Sequence, residues 1–273
     1  MSGSGTFTTH DGLALSYRLA GNGPLLVCQS GGPGRASSYL RDLAGLTEHR
    51  TLVLLDSRGT GSSERPQDPD RLNATYVAQD LESLREHLGL ETFELLGHSA
   101  GAIVAQLYAA GHPERLAKLV LVTPSGRLQG PPTDIDDIVE SRRGEPGYEE
   151  AVRTYDATGE ITRPLLYGVW NDGTAQHAAG ADTEMDPTAE RHFGPAPGTV
   201  DEAAVTARLR DVRAPVLVLA GSRDAATGVA AARTVAACFS DARLEVLDGI
   251  GHFPWVEQPA AFLPPIRDFL ESA

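Results

Sequence analysis

Three polar side chains spread along 273 residues have the types needed to activate a hydroxyl group: Ser99, Asp224 and His252. A neutral serine hydroxyl is a weak nucleophile. It needs a base of near-neutral pKa within hydrogen-bond reach, and that base needs a carboxylate to hold its tautomer. Ser99 lies in Gly97-His98-Ser99-Ala100-Gly101, after the apolar run Phe93 to Leu96 and before Ile103, Val104, Leu107 and Tyr108, which are apolar at helical spacing. The stretch reads as strand, sharp turn and helix. Glycine two positions either side of the serine has a steric reason, because the backbone of such a turn is strained and the helix must pass close to the strand. The turn lifts the Ser99 hydroxyl to a helix N-terminus, where N–H groups and the helix dipole favour developing negative charge.

His252 closes the turn Asp248-Gly249-Ile250-Gly251-His252 after the last strand-like run, and Asp224 closes Gly221-Ser222-Arg223-Asp224 after the one before it. Asp224 is the preferred partner for the histidine. Asp248 is its rival, but its place just before the glycine turn suits the end of a strand or a brace for the turn. His98, beside Ser99, reads as structural. His10, His49, His87, His112, His177 and His192 fall on turns, helix ends or a long irregular segment, and read as surface residues.

Acyl transfer also needs N–H donors for an oxyanion. The backbone of Ala100, first in the helix after Ser99, offers one. The second is expected from Gln29-Ser30-Gly31-Gly32-Pro33-Gly34, where glycines let the backbone approach a substrate closely. Gly32 is the chosen donor, since Pro33 has no N–H and restrains the residue before it to extended geometry.

The elements that position these residues follow from the apolar pattern. Residues 6–9 and 14–19 flank His10-Asp11-Gly12 and read as an antiparallel hairpin. Strands buried on both faces are expected at 25–28 and 51–56, which are continuous apolar runs, another buried strand at 119–123, and further strands at 93–96, 215–220 and 243–247. Helices are expected at 37–46, at 75–88 with Val77, Leu81, Leu84 and Leu88 on one face and Thr75 at its start, after Ser99, at 227–239, and from Glu257 onward. The alternation gives an α/β fold with a mostly parallel, eight-stranded sheet led by the hairpin. It breaks at residues 125–206, which carry short helical pieces at 135–142, 148–155 and 165–170. So long a connection implies a helical lid inserted between two core segments, 1–124 and 207–273. Ligands of open α/β sheets sit outside the carboxyl ends of the strands, where the loops bearing Gly32, Ser99, Asp224 and His252 all emerge.

A hydrophobic content of 41% supports a proper core, and a net charge of −14 disfavours nucleic acid or an anionic membrane as partner. The expected partner is a small molecule or a short peptide. Cys28 and Cys238 have no spacing for zinc or a disulfide framework, and no cofactor is implied. The N-terminus lacks a basic region followed by an apolar stretch, and no apolar run approaches about 18 residues, so a cytoplasmic protein is expected. Lys118 is the sole lysine, a bias expected of a bacterial genome of high GC content.

Taken together, the chain resembles the α/β-hydrolase fold over nearly its full length. Within that fold, Gly31-Gly32-Pro33-Gly34 and Asp56-Ser57-Arg58-Gly59-Thr60-Gly61-Ser62-Ser63 resemble the proline iminopeptidase group, whose marks are H-G-G-P-G and D-x-R-G-x-G-x-S. Ser30 stands where that group has histidine, and Ala100 where it commonly has tryptophan. The resemblance implies a serine hydrolase that reads a free N-terminal amine with acidic lid residues. Candidates are Glu140, Glu145, Glu149, Glu150, Asp156, Glu160, Glu184 and Glu190, and the sequence singles out none of them. Arg58 reads as a tie between loops, with a ligand clamp as the alternative. Gly59-Thr60-Gly61 is not a nucleotide loop, because Glu64 occupies the place of the third glycine.

The leading expectation is a metal-free serine hydrolase cleaving a small ester, amide or N-terminal peptide bond through an acyl-enzyme. The alternatives are a tailoring hydrolase or cyclase of secondary metabolism, and a receptor-like binding protein with negligible turnover.

Overall fold

The computed structural model describes residues 2–130, 133–194 and 200–272. Residues 131–132 and 195–199 of the expected lid lie outside them. Strands β1 (Ser2–Thr8) and β2 (Ala14–Gly21) pair antiparallel across the Asp11-Gly12 turn, as the hairpin pattern requires. β3 (Leu25–Gln29), β4 (Thr51–Leu55), β5 (Phe93–His98), β6 (Leu116–Val122), β7 (Val216–Gly221) and β8 (Ala242–Leu247) continue the sheet. The order is β1-β2-β4-β3-β5-β6-β7-β8, with β2 antiparallel to β4 and every later pair parallel.

From β3 to β7 the apolar runs behave as strands buried on both faces, whereas β8, at the sheet edge, is largely open. Val27, Val53, Leu95, Leu119 and Val218 pack toward one cluster, while their neighbours Leu26, Leu52, Leu96, Val120 and Leu219 pack toward another. The first cluster is covered by α1 (Ala74–His87) and α2 (Ala100–Gly111), through residues such as Val77, Leu81, Ile103 and Val104. The chain runs from β3 outward to β4 and then returns to β5 on the other side of β3. That reversal sets the loops after β3 and β5 side by side, which is where open α/β sheets hold ligands.

The connection from β6 to β7 contains short helices: α3 (Ile135–Glu140), α4 (Glu149–Thr158), α5 (Asp172–Ala179), α6 (Ala181–Glu184), α7 (Pro187–His192) and α8 (Glu202–Arg208). After β7 come α9 (Gly228–Ala236), β8, α10 (Pro254–Glu257) and α11 (Pro259–Glu271), whose Phe262, Ile266 and Leu270 complete the second cluster. Among the described residues no helix is long and apolar enough to cross a membrane.

Three local expectations are corrected. The helix expected at 37–46 is instead two short 3-10 turns, Ser37–Leu40 and Leu46–Glu48, joined through Arg41, Leu43 and Ala44 at φ of 55°, 49° and 60°. Leu40, Leu43 and Leu46 are buried all the same, and their spacing of three serves successive tight turns as well as a helix. The start of α1 is capped by Asn73, not Thr75: its Oδ1 accepts from the amides of Thr75 at 2.9 Å and Tyr76 at 3.3 Å. The helical piece expected at 165–170 is a 3-10 turn at Arg163–Leu166 that gives way to extended backbone at Tyr167. Its backbone groups are bonded to other loops, so a helix could not keep them.

Candidate active site

The two glycines around Ser99 are required by contact. A Cβ on Gly97 would fall 2.7 Å from the Gly101 carbonyl oxygen, and one on Gly101 would fall 2.5 Å from the carbonyl oxygens of both Gln29 and Ser30. β5, α2 and the loop after β3 therefore meet at backbone distance. Ser99 itself has φ 54°, a left-handed conformation that a side chain adopts at a cost of roughly 1–3 kcal/mol, and which the surrounding contacts enforce.

Asp224 and His252 come together. His252 Nδ1 lies 2.8 Å from Asp224 Oδ2, with both side chains almost wholly buried. Asp224 Oδ2 also accepts from Thr227 Oγ1 at 2.6 Å, and its Oδ1 accepts from the amides of Ala226 at 2.8 Å and Thr227 at 3.3 Å. A carboxylate ringed by donors assigns the ring proton to Nδ1 and leaves Nε2 as the imidazole's acceptor. The rival Asp248 is exposed and accepts from Ser222 Oγ at 3.1 Å.

Ser99 and His252 line one cavity of about 720 Å³, together with Gly32 and Ala100. Gly32 has φ 124°, which corrects the extended geometry expected before Pro33: without a Cβ, glycine is free to take the positive φ. The amide of its neighbour Gly31 is already committed to the Tyr39 hydroxyl at 2.7 Å. Ser30, in the histidine position of the glycine-proline pattern, donates through Oγ to the Arg35 carbonyl at 3.0 Å and so closes this loop on itself.

His98 takes a structural place, linking Tyr39 to the loop of His252. Its Nδ1 is 2.7 Å from Tyr39 Oη, and its Nε2 is 3.0 Å from the His252 carbonyl oxygen, which also accepts from Thr123 Oγ1 at 3.1 Å. The carbonyl requires Nε2 to donate, so Nδ1 accepts from the Tyr39 hydroxyl, which in turn accepts from Gly31. Burial, reinforced by the nearby His252, holds the His98 imidazole neutral, well below the usual histidine range.

The reading of His177 as a surface residue is corrected. Its side chain is buried between Tyr167 Oη, 2.8 Å from Nδ1, and the Tyr39 carbonyl, 3.4 Å from Nε2. Burial, with the charge of Arg35 nearby, pulls its pKa down to about 4. An amphipathic ring on a short helix gave no sign of this, because both partners lie on other segments.

Residues of the β6–β7 connection form the facing wall of the cavity: Arg163, Leu166, Tyr167, Asp182, Met185 and Glu190 among them. The segment is zipped to the loop after β3. The Ala36 amide donates to the Glu184 carbonyl and the Asp186 amide to the Gly34 carbonyl, each at 2.9 Å, while Arg35 pairs with the Glu184 carboxylate at 2.7 Å. Of the acidic candidates, Glu190 lines the cavity, Glu184 is taken by Arg35, and Glu145 lies between Arg142 and Arg223. Glu140, Glu149, Glu150, Asp156 and Glu160 are exposed. Asp182, outside that set, lines the cavity and is paired with Arg163.

Arg58 ties loops together and takes no part in the cavity. Its wholly buried guanidinium bonds Asp80 at 2.8 and 2.5 Å and Asp11 at 3.1 and 3.2 Å. His10, Asp11 and Asp80 also bring ligand atoms within 4.8 Å of one another, but Arg58 supplies the cation that the two carboxylates need.

Comparison with known proteins accords with this geometry. A family model described as alpha/beta hydrolase fold matches residues 24–163. The chain belongs to the α/β-hydrolase fold family. A second model, described as TAP-like protein, matches residues 189–273. Among relatives of this α/β hydrolase, a proline iminopeptidase of Saccharolobus solfataricus is 27% identical over 94% of this chain and 87% of its own. Another, from Lactobacillus delbrueckii subsp. lactis, is 26% identical over 91% of this chain and 90% of its own. The solved proline iminopeptidase of Mycobacterium smegmatis superimposes with a TM-score of 0.74 at 25% identity, covering 98% of this chain and 97% of that one. An esterase from Rhodococcus sp. ECU1013 gives 0.72 at 25% identity, covering 98% of both.

Proposed function

We propose that this α/β hydrolase is a serine hydrolase working through an acyl-enzyme, with Ser99 as nucleophile, His252 as base and Asp224 as the carboxylate that fixes its tautomer. The observation that carries the reading is the buried 2.8 Å contact between His252 Nδ1 and Asp224 Oδ2 at the edge of the cavity that Ser99 enters from a strained turn. Ser99 Oγ attacks the acyl carbon as its proton passes to His252 Nε2. The amides of Gly32 and Ala100 receive the oxyanion, and the imidazolium then returns the proton to the leaving group. Water repeats the sequence on the ester so formed. The β6–β7 connection serves as the lid and closes the site from solvent.

The substrate is a small ester, an amide or the N-terminal residue of a peptide. Kinship with proline iminopeptidases favours the last, and Glu190 is the cavity carboxylate available to meet an ammonium group. A second reading, an esterase or lactonase of tailoring type, is favoured by the arginine partners of Asp182 and Glu184, which leave little spare negative charge in the wall.

One experiment tests the mechanism and a second divides the substrates. Stoichiometric labelling by a fluorophosphonate, lost in Ser99→Ala, is expected; full turnover by Ser99→Ala would end the proposal, and an unlabelled wild type would leave a receptor-like protein. Rates on proline arylamides against aryl esters and lactones then separate peptidase from esterase action.

A further inference from the structure

Glu257 ends α10, five residues after His252, and is partly buried. Among the described residues no arginine or lysine pairs with it. Its carboxylate is met instead by three backbone N–H groups: Gly168 at 2.7 Å and Gly251 at 3.0 Å on Oε2, and Phe253 at 3.2 Å on Oε1. Gly251 and Phe253 are the neighbours of His252 on either side. The amide of His252 donates to the Leu166 carbonyl at 2.7 Å. Three consecutive amides around the base are thus held, two by Glu257 and one by the strap at 163–168, while Glu257 also grips the strap through Gly168.

The contact between strap and histidine loop leaves no room for adjustment. A Cβ on Gly168 would fall 2.1 Å from the Gly249 carbonyl oxygen, and one on Gly251 would fall 2.5 Å from the Leu166 carbonyl oxygen. Between these glycines the Tyr167 ring stacks on Phe253 at 5.1 Å. A carboxylate drawn out of water is tolerated only where donors satisfy it, and here two of its three donors flank His252 while the third belongs to the strap.

We propose that Glu257 is a positioning residue for the reaction: it joins both flanks of His252 to the strap of the β6–β7 connection, and so sets where the imidazole stands relative to Ser99. The inference rests on the serine hydrolase reading. It makes the strap a fixed mount for the base, so gating by the lid belongs to segments beyond Gly168.

The test compares the wild type, Glu257→Gln, His252→Ala and the double variant, reading the fluorophosphonate labelling rate and kcat and KM on an aryl ester. Glutamine keeps the volume but turns an N–H₂ group toward backbone donors. Labelling rate and kcat are expected to fall about ten- to a hundredfold with KM unchanged, the cost of misplacing a reacting group by an ångström or less. In the His252→Ala background the same substitution is expected to add nothing, because its effect passes through the imidazole. Labelling of Glu257→Gln at the wild-type rate, or an equal further loss without His252, overturns the inference. A wild type that takes up no probe overturns the hydrolase reading first, and this inference with it. If Glu257→Gln yields no folded protein, Glu257→Asp, which keeps the charge and withdraws it by one methylene, carries the same prediction.

Discussion

Arg58 holds its charge where water does not reach it, and its bonds span four segments: the hairpin turn at Asp11, its own loop after β4, the carbonyl of Arg71 and Asp80 of α1. The Tyr76 ring lies beneath the guanidinium at 5.0 Å. Removing one partner of a buried ionic group costs more than the group contributes when whole, because the remaining charges lose their solvation as well. Arg58→Met is therefore expected to lower unfolding free energy by about 3–5 kcal/mol in urea titration. Turnover per folded molecule should not change, since none of these contacts reaches the cavity. A loss below about 1 kcal/mol, the worth of an exposed pair, would contradict the burial argument. The D-x-R-G pattern pointed to Arg58, and its reading as a tie between loops matches its contacts; Asp11 and Asp80 as partners could not be read from spacing, because neither is near it in the chain.

Elements differ in how far their own residues specify them. α1 carries apolar residues at helical spacing and a side-chain cap at Asn73, so local chemistry and burial agree. Asn73→Ala removes the acceptor for two orphan amides and is expected to cost about 1 kcal/mol of stability with catalysis unaffected, measured by urea denaturation beside steady-state rates. The strap at 163–168 is the opposite case. Its sequence allows a helix, and the structure refuses one, because the Leu166 carbonyl is given to His252 and the Gly168 amide to Glu257. Residues 37–46 fail differently: the chain turns through positive φ at Arg41, Leu43 and Ala44, and Leu40, Leu43 and Leu46 bury themselves through these turns.

Across the whole molecule, the buried neutral histidines couple folding to pH. His98 and His177 titrate lower when folded than their ordinary value of 6.5, His177 at about 4, because burial disfavours the imidazolium. The unfolded chain therefore binds more protons than the folded one once the pH drops below 6.5. Stability is undiminished above that pH and falls as it decreases, with the His177 contribution levelling off near pH 4. Each histidine adds a slope approaching about 1.4 kcal/mol per pH unit within its window. Urea titrations at pH 7 and pH 5 should show the loss, and His177→Gln, which keeps one donor and one acceptor, should make it shallower. Equal slopes in the two proteins would place the acid sensitivity elsewhere.

The chain order of strands, turns and the helix after Ser99 was legible in the sequence, because each rests on local physics: apolar runs that need two buried faces, glycines where backbones touch, a serine at a turn between strand and helix. The same local signals marked the loops bearing Gly32, Ser99, Asp224 and His252, since loops at one edge of a parallel sheet share a side by topology. Only the tertiary structure decided what surrounds them. Tyr39 under His98, His177 inside the wall, the strap in place of a helix and Glu257 behind His252 depend on hydrogen bonds that reach across separate segments of the chain, and such bonds leave no periodicity or spacing to read.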